Sequence, residues 1–334
     1  MTYHCVLGIT SYNRLFYLRK CIETFLKTKA TGFQWTLIVA DDGSTDGSVE
    51  YVKKLKPADC NVILIYNGKR SISYQTNTIF KMSEIIKFDY LFKSDDDMMF
   101  TAPGWDVNYI EAIEKTGMDH LIFLEPSYHF KNKTQVKHIH ASRLLEGSLG
   151  NPISGYFFTL TPNVLKTVGY FDEVNFPHFG FEHRDYSSRC FKKNYNDDQY
   201  RYDIVNSGNA LKLQSNHKMK LLYMKRALFL LSFIMFLTYY MNYLCLSKAL
   251  ICTFLILTSG VYFYYTLYIT TKSVRPPLMK IMDKNNKNKY NILKQESNRI
   301  YVGISPIYQG TKVYFCHKIT DLTINMDYFN VLVE

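Results

Sequence analysis

Five short apolar runs, residues 5–9, 36–40, 61–66, 90–93 and 120–124, set the frame of the first two thirds of the chain. Runs of this kind are what parallel strands look like when both faces of their sheet are covered. Between the first two, Leu15, Leu18, Ile22, Phe25 and Leu26 recur at helical spacing and draw a single apolar stripe. Strand, helix, strand, repeated, predicts an α/β fold with a doubly wound sheet over residues 1–216. Ligands of such sheets sit at the carboxyl ends of the strands.

The acidic motifs fall at those ends. VADDGSTDGS (39–48) follows the second run and puts Asp41 and Asp42 together at a strand end. A polar turn accounts for Gly43 and for a helix cap by Ser44 or Asp46, but not for the pair. A carboxylate there can accept a hydrogen bond from a nucleobase N–H or a ribose hydroxyl. FKSDDDMMF (92–100) sets three mutually repelling carboxylates after the fourth run. A bare turn gains nothing from the third charge. A hard divalent cation, Mn²⁺ or Mg²⁺, resolves the conflict and bridges to substrate phosphates. Asp95 and Asp97, two residues apart on extended chain, can point to one side. Glu182, His183, Arg184 and Asp185 follow an aromatic loop. They offer a general base, or merely favourable acidic charge at a helix start.

Residues 227–246 and 249–271 carry no charge, and Lys or Arg residues flank them on both sides. Each is long enough to cross a bilayer. One helix through both would be about 65 Å long, too long for a single span. The expectation is therefore a transmembrane helical hairpin over 221–271, with both ends in the cytosol. One span plus an interfacial helix, or a buried soluble pair, are the alternatives. The chain has 40 Lys+Arg against 29 Asp+Glu, a formal net charge of +11. Much of that excess then belongs to membrane flanks, which argues against nucleic acid. Seven scattered cysteines without a CxxC pair read as reduced thiols. No leader is expected, because strand-like sequence begins at Cys5. Residues 272–334 read as a cytosolic tail, with short strands expected at 300–304 and 312–315. His120, His129, His138 and His140 read as surface residues.

Taken together, ITSYNRLFYLRKCIETFL, IVADDGSTDGS, FKSDDDMMF and GYFDE…FGFEHRDYSSR resemble glycosyltransferase family 2, in that family's order over about residues 5–190. The resemblance implies a GT-A fold of Rossmann type, a nucleotide-diphosphate sugar donor (a UDP-sugar first), a divalent metal and inverting displacement. Carried over by position, it places Ser11, Tyr12, Asp41, Asp42, Asn77, Asp95 and Asp96 at the nucleotide sugar. It places Asp95, Asp97 and the later His217 at the metal. Glu182, His183 and Asp185 become the candidate catalytic residues, with His183 standing where the family usually has an Asp. The family's donor segment often reads ARN; here Gln75 and Thr76 precede Asn77, and Lys69 or Arg70 would have to replace the arginine. No QxxRW follows, which implies transfer of one sugar at a time. The implied protein is a membrane-anchored transferase facing the cytosol, acting on a glycan or lipid-linked acceptor. A catalytically inactive module that binds nucleotide sugar or glycan is the competing reading. A nucleotidyltransferase would want a glycine-rich basic loop after the first strand, and ITSYNRL is not one.

Overall fold

The structure is a computed structural model, and it describes residues 2–68, 71–124, 131–136, 139–143, 155–176, 180–193, 200–214, 285, 287, 289, 312–316 and 332–333. The elements in chain order are β1 (His4–Ser11), α1 (Leu15–Thr28), β2 (Gln34–Asp41), α2 (Ser48–Lys53), β3 (Asn61–Tyr66), α3 (Ile72–Ile86), β4 (Tyr90–Asp95), β5 (Met98–Phe100) and α4 (Trp105–Thr116). There follow β6 (Lys131–Val136), β7 (Ile139–Arg143), β8 (Phe157–Leu160), α5 (Pro162–Val168), α6 (Glu182–Lys192), β9 (Tyr200–Ile204), β10 (Leu211–Leu213), β11 (Lys312–Phe315) and β12 (Leu332–Val333).

The central sheet runs β12-β11-β3-β2-β1-β4-β8. Its middle four strands, β3, β2, β1 and β4, are parallel. Every residue of β1 is buried, as expected for a strand covered on both faces. Alternation sends Cys5, Leu7 and Ile9 into one core, with Leu18, Cys21, Ile22 and Phe25 of α1 and with Trp35 and Trp105. It sends Val6 to the opposite core, with Ile38, Ile63 and Ile65 and with Ile79, Phe80 and Met82 of α3. A side chain at Gly8 would place its Cβ 2.3 Å from Ile79 Cγ2, so the glycine is what lets α3 lie against β1.

Four of the five apolar runs form the expected parallel strands, and the expected first helix is α1. The fifth does not. Residues 120–124 make one antiparallel bridge, Ile122 to Phe158. The position beside β4 is taken by β8, antiparallel in register Leu91 to Leu160 through Ser94 to Phe157. At the other edge β11 pairs antiparallel with β3. The sheet is therefore mixed, not purely parallel. Residues 312–315, expected as a strand in the tail, add to this sheet; residues 300–304 lie outside the described residues. Smaller sheets pair β10 with β5 and order β6-β7-β9.

Residues 1–214 and 283–334 form one compact unit and 215–282 a second. The expected hairpin over 221–271 falls in the second unit, outside the described residues. Among the described residues no helix is long and apolar enough to cross a membrane. The described cysteines, Cys5, Cys21, Cys60, Cys190 and Cys316, are free. His120 is not a surface residue: it is buried, with Nδ1 3.2 Å from Thr159 O and Nε2 3.0 Å from Ser187 Oγ. It packs edge-on to Phe158 and Tyr186, so its strand-like surroundings absorb the ring. Residues 129 and 138 lie outside the described residues, and His140 lies on β7.

Candidate active site

Three adjacent parallel strands end level with one another. Ser11 is the register partner of Asp41, and Thr10 that of Asp95. The loops that follow are stitched together. Asp41 is buried, and its Oδ1 accepts from the backbone N–H groups of Gly43 and Ser44 at 3.0 and 2.7 Å. Ser44 Oγ accepts from Asn13 N, Thr45 N donates to Asn13 Oδ1, and Asp46 Oδ2 accepts from Leu15 N at the start of α1. Burial pushes the Asp41 carboxyl above the usual range, and its buried Oδ2 has no hydrogen-bond partner among the described residues. Asp42 Oδ1 accepts from Gln75 Nε2 at 2.6 Å, and Gln75 Oε1 in turn accepts from Asn67 Nδ2 at 2.6 Å. Asn77 faces elsewhere: its amide donates to Phe171 O and accepts from Phe171 N, which ties α3 to the chain after α5. Tyr12 is exposed at the rim.

The three carboxylates of the acidic run are not left to repel. Lys93, fully buried on β4, bonds to Asp95 Oδ1. Arg14, which caps α1, places Nη1 2.9 Å from Asp96 Oδ1 and Nη2 2.7 Å from Asp97 Oδ2. Ser11 Oγ donates to Asp96 Oδ2 at 2.9 Å. Burial raises the Asp95 carboxyl despite Lys93, and it pushes Asp96 up to about 7 despite Arg14. Asp97 Oδ1 is buried and has no hydrogen-bond partner among the described residues. Gln214 closes this side of the site, donating from its backbone N to Asp97 O and from Nε2 to Tyr17 O.

The third cluster opens α6. Glu182 is buried; its Oε2 accepts from Gly180 N at 2.6 Å. Burial pushes its carboxyl up to about 7, with backbone hydrogen bonds pulling the other way, and the charges of Asp95 and Lys93 both reach it. His183 packs edge-on to Phe158 and Phe171. Burial, with Lys93 and His120 nearby, holds its imidazole well below the usual range, so the ring is neutral. Asp185 Oδ2 accepts from Arg189 Nε at 2.9 Å, and Arg189 also donates to the carbonyls of Val168 and Tyr170. That pair fastens α6 to the end of α5.

Ser11, Asp41, Asp42, Asp95, Asp96 and Asp97 thus converge on the strand ends, and Glu182 is within electrostatic reach of Asp95. His217, Lys69 and Arg70 lie outside the described residues. Sequence reading passed over Arg14, Lys93 and Asn67, and named Gln75 only as a departure from the donor segment. Lys93 carried a signal: it interrupts an apolar run two residues before Asp95, on the same face of a strand. Among the described residues no three His, Cys, Asp or Glu side chains converge as a metal cage. A Mg²⁺-like ion needs only one or two carboxylates besides water and phosphate. Asp97 Oδ1, a hard oxygen without a partner among the described residues and next to Asp95 in the acidic run, fits that requirement.

The chain matches the model of glycosyl transferase family 2 over residues 7–176. An uncharacterized glycosyltransferase of Acanthamoeba polyphaga mimivirus is 32% identical over 180 residues, 53% of this chain and 66% of that protein. The chain thus spans just under two thirds of that relative. Among solved structures, S. aureus TarS in complex with UDP-GlcNAc superposes with a TM-score of 0.46 at 15% identity, over 63% of this chain and 57% of that one. A mannosyltransferase from Pyrobaculum calidifontis in complex with GDP-Man and Mn²⁺ gives 0.46 at 10% identity, over 89% and 84%. The span matched by the family takes in both acidic loops and half of the chain, and on it the chain belongs to glycosyl transferase family 2.

Proposed function

We propose that this chain is a glycosyltransferase moving one sugar at a time from a nucleotide-diphosphate donor to an acceptor hydroxyl, with inversion. The observation that carries the reading is the row of strand ends: Asp41 level with Ser11 and Asp95 with Thr10, and two buried carboxylate oxygens, Asp41 Oδ2 and Asp97 Oδ1, without a hydrogen-bond partner among the described residues. A buried acceptor without a donor is costly, and a ligand relieves it. Asp41 Oδ2 suits a base N–H or a ribose hydroxyl. Asp97, with Asp95 beside it, would hold Mn²⁺ or Mg²⁺, whose charge offsets that of the leaving diphosphate.

Glu182 is the base in this reading. Its pKa near 7 matches the working pH, which is where general-base catalysis is most efficient. The acceptor O–H gives its proton to the Glu182 carboxylate while the oxygen bonds to the anomeric carbon. The bond from that carbon to the diphosphate oxygen breaks, and the nucleoside diphosphate leaves with the electron pair. Lys93 and Arg14 hold the acidic run in place, and Asp185 with Arg189 fixes the helix that carries Glu182.

The membrane part of the proposal rests on the charge-free stretches 227–246 and 249–271 with their basic flanks. A catalytic domain held at the cytosolic face suits a glycan or lipid-linked acceptor at the bilayer. The test is to incubate the full chain in detergent with a panel of UDP- and GDP-sugars and Mn²⁺, and to measure free nucleotide. Release from one donor, abolished in Glu182→Gln, is the expected result. Tight donor binding with no release from any would make the chain a binding module instead.

A further inference from the structure

We infer that the tail strand β11 is the closing strand of the catalytic domain, so that the chain between Gln214 and Lys312 leaves that domain and returns to it on one face of the membrane. The second half rests on the membrane reading proposed above and decides between the arrangements that the sequence leaves open.

The β3 sequence, NVILIY, is apolar, and its Val62, Ile63, Leu64 and Ile65 are buried. On one side β3 pairs with β2. Left bare, the other side would present a row of unpaired N–H and C=O groups, which natural edge strands blunt with charge, proline or a bulge. Residues 61–66 hold neither a charged residue nor a proline. A strand of this composition belongs inside a sheet.

β11 puts it there. Lys312 to Phe315 run antiparallel to β3, in register with Tyr66 back to Ile63, and Cys316 N donates to Val62 O at 3.0 Å. Its side chains alternate between the two cores. Val313 is fully buried with Ile63 and Ile65, and Phe315 packs against the same core. Tyr314 and Cys316 pack against the other, and the Lys53 ammonium of α2 lies 3.5 Å from the centroid of the Tyr314 ring. Backbone bonds, both cores and a helix of the domain thus hold this strand. It belongs to the same compact unit as residues 1–214, while 215–282 form another.

Paired strands lie about 4.8 Å apart, and the hydrocarbon of a bilayer is about 30 Å thick. β3 and β11 therefore share one face of the membrane, and the chain between them crosses it an even number of times. The two charge-free stretches, 227–246 and 249–271, meet that condition with one crossing each. One span plus an interfacial helix does not. The basic flanks point the same way through a separate property, their charge. The catalytic domain is then built from sequence on both sides of the membrane excursion, and the tail gains a role as its last inner-sheet partner.

The test uses the full chain in membranes. Pairs alternate along an antiparallel ladder, and the bond from Cys316 N to Val62 O makes 63 and 315 a pair without mutual hydrogen bonds, with Cα atoms about 4.5 Å apart. A disulfide fits that spacing. Ile63→Cys combined with Phe315→Cys, oxidised and digested, should therefore yield the 63–315 linked peptide in mass spectrometry. Val313→Asp, which drives a carboxylate into the core, should lower the melting temperature by about 5 °C or more. Epitopes fused at residues 1 and 334 of the otherwise wild-type chain should both be lost to protease added to inside-out vesicles, and both survive in right-side-out ones. Absence of the 63–315 link in a folded double variant overturns the closing strand, and so does an unchanged melt in Val313→Asp. Epitopes that differ in protection overturn the even count of crossings. Should the double variant not fold, the Val313→Asp melt and the epitopes decide by themselves. Alkaline carbonate extraction separates the two levels: a chain washed off the membrane loses the membrane reading and the crossings with it, while the link and the melt still decide the closing strand.

Discussion

Lys93 and Asp95 stand two residues apart on β4, and the fully buried Lys93 ammonium is bonded to Asp95 Oδ1. A lysine buried in an inner strand of a sheet is costly unless a carboxylate faces it, and truncating one partner leaves the other charge buried. Lys93→Met should therefore destabilise the fold by about 3 kcal/mol. The double variant Lys93→Met with Asp95→Asn should recover most of that loss. Urea denaturation of the single and double variants checks this; a single variant as stable as wild type would show that the pair carries no buried charge.

Asp41→Asn keeps the side-chain shape and an oxygen for Gly43 N and Ser44 N, but exchanges the open Oδ2 for an N–H group. A ligand N–H or hydroxyl then meets a donor instead of an acceptor. Hydrogen bonds to charged groups are worth about 1.5–3 kcal/mol, so the Kd for UDP should rise by about tenfold or more. The melting temperature should barely move. An unchanged Kd for UDP and for uridine would take Asp41 out of the nucleoside site.

Asp96, Glu182 and Asp203 make stability depend on pH in one direction. Burial pushes the first two up to about 7, and Asp203, bonded to Tyr109 and Ser207, up to about 6. The folded chain thus keeps protons that the unfolded chain releases between about pH 4 and 7. Stability is fully present below the unfolded values and is lost as pH rises through the folded ones. In metal-free buffer the melting temperature should fall by roughly 5 °C between pH 5 and pH 8. A melting temperature that rises over that range would contradict the raised values.

Much of the scaffold is legible in the sequence, and the reason is burial. The four parallel strands are covered on both faces, so they read as apolar runs, and α1 shows its buried stripe. The same signal misleads at 120–124, where the apolar residues form one antiparallel bridge alongside β8 and not a strand beside β4. The polar KNKTQV of β6 carries no apolar period, so nothing in it announces a strand. At the site, Asp41 and Asp95–Asp97 stand out because adjacent carboxylates need an explanation. Their partners do not: Arg14 and Asp97 are 83 positions apart, as the bond between them records. Only the register of β1 against β4 brings them together. Asn77 is conspicuous beside Gln75 and Thr76, yet which of the three faces Asp42 depends on the helix phase of α3.

Glu182 and His183 should separate in their kinetics. Glu182→Gln should lower kcat by about 10²–10⁴-fold, the usual contribution of a general base. The kcat of wild type should fall as pH drops below about 7, as the Glu182 carboxylate takes up its proton. His183 is held neutral by its surroundings, so His183→Ala should cost more in stability than in rate. A profile that keeps its acidic limb in Glu182→Gln would move the proton to another group.

Gly155 tests whether the His183 ring must sit where it does. A Cβ at Gly155 would lie 2.0–2.2 Å from Nε2, Cε1 and Cδ2 of His183, closer than any real contact, so the ring would have to shift. The ring has little room to do so, edge-on to Phe158 and Phe171 in a pocket it shares with His120, Ile122 and Tyr186. Overpacking of this kind costs about 1–3 kcal/mol. Any shift of His183 also pulls on Glu182, its neighbour at the first turn of α6, so Gly155→Ala should lower kcat along with stability. Removing the ring removes the clash. The double variant Gly155→Ala with His183→Ala should therefore lose less stability than the two single losses combined, by about 1 kcal/mol or more, because the two positions are in contact. Urea denaturation of the four proteins closes the cycle. Strict additivity would mean that the ring has somewhere else to go, and Gly155 would then owe its place to the backbone turn before β8 rather than to His183.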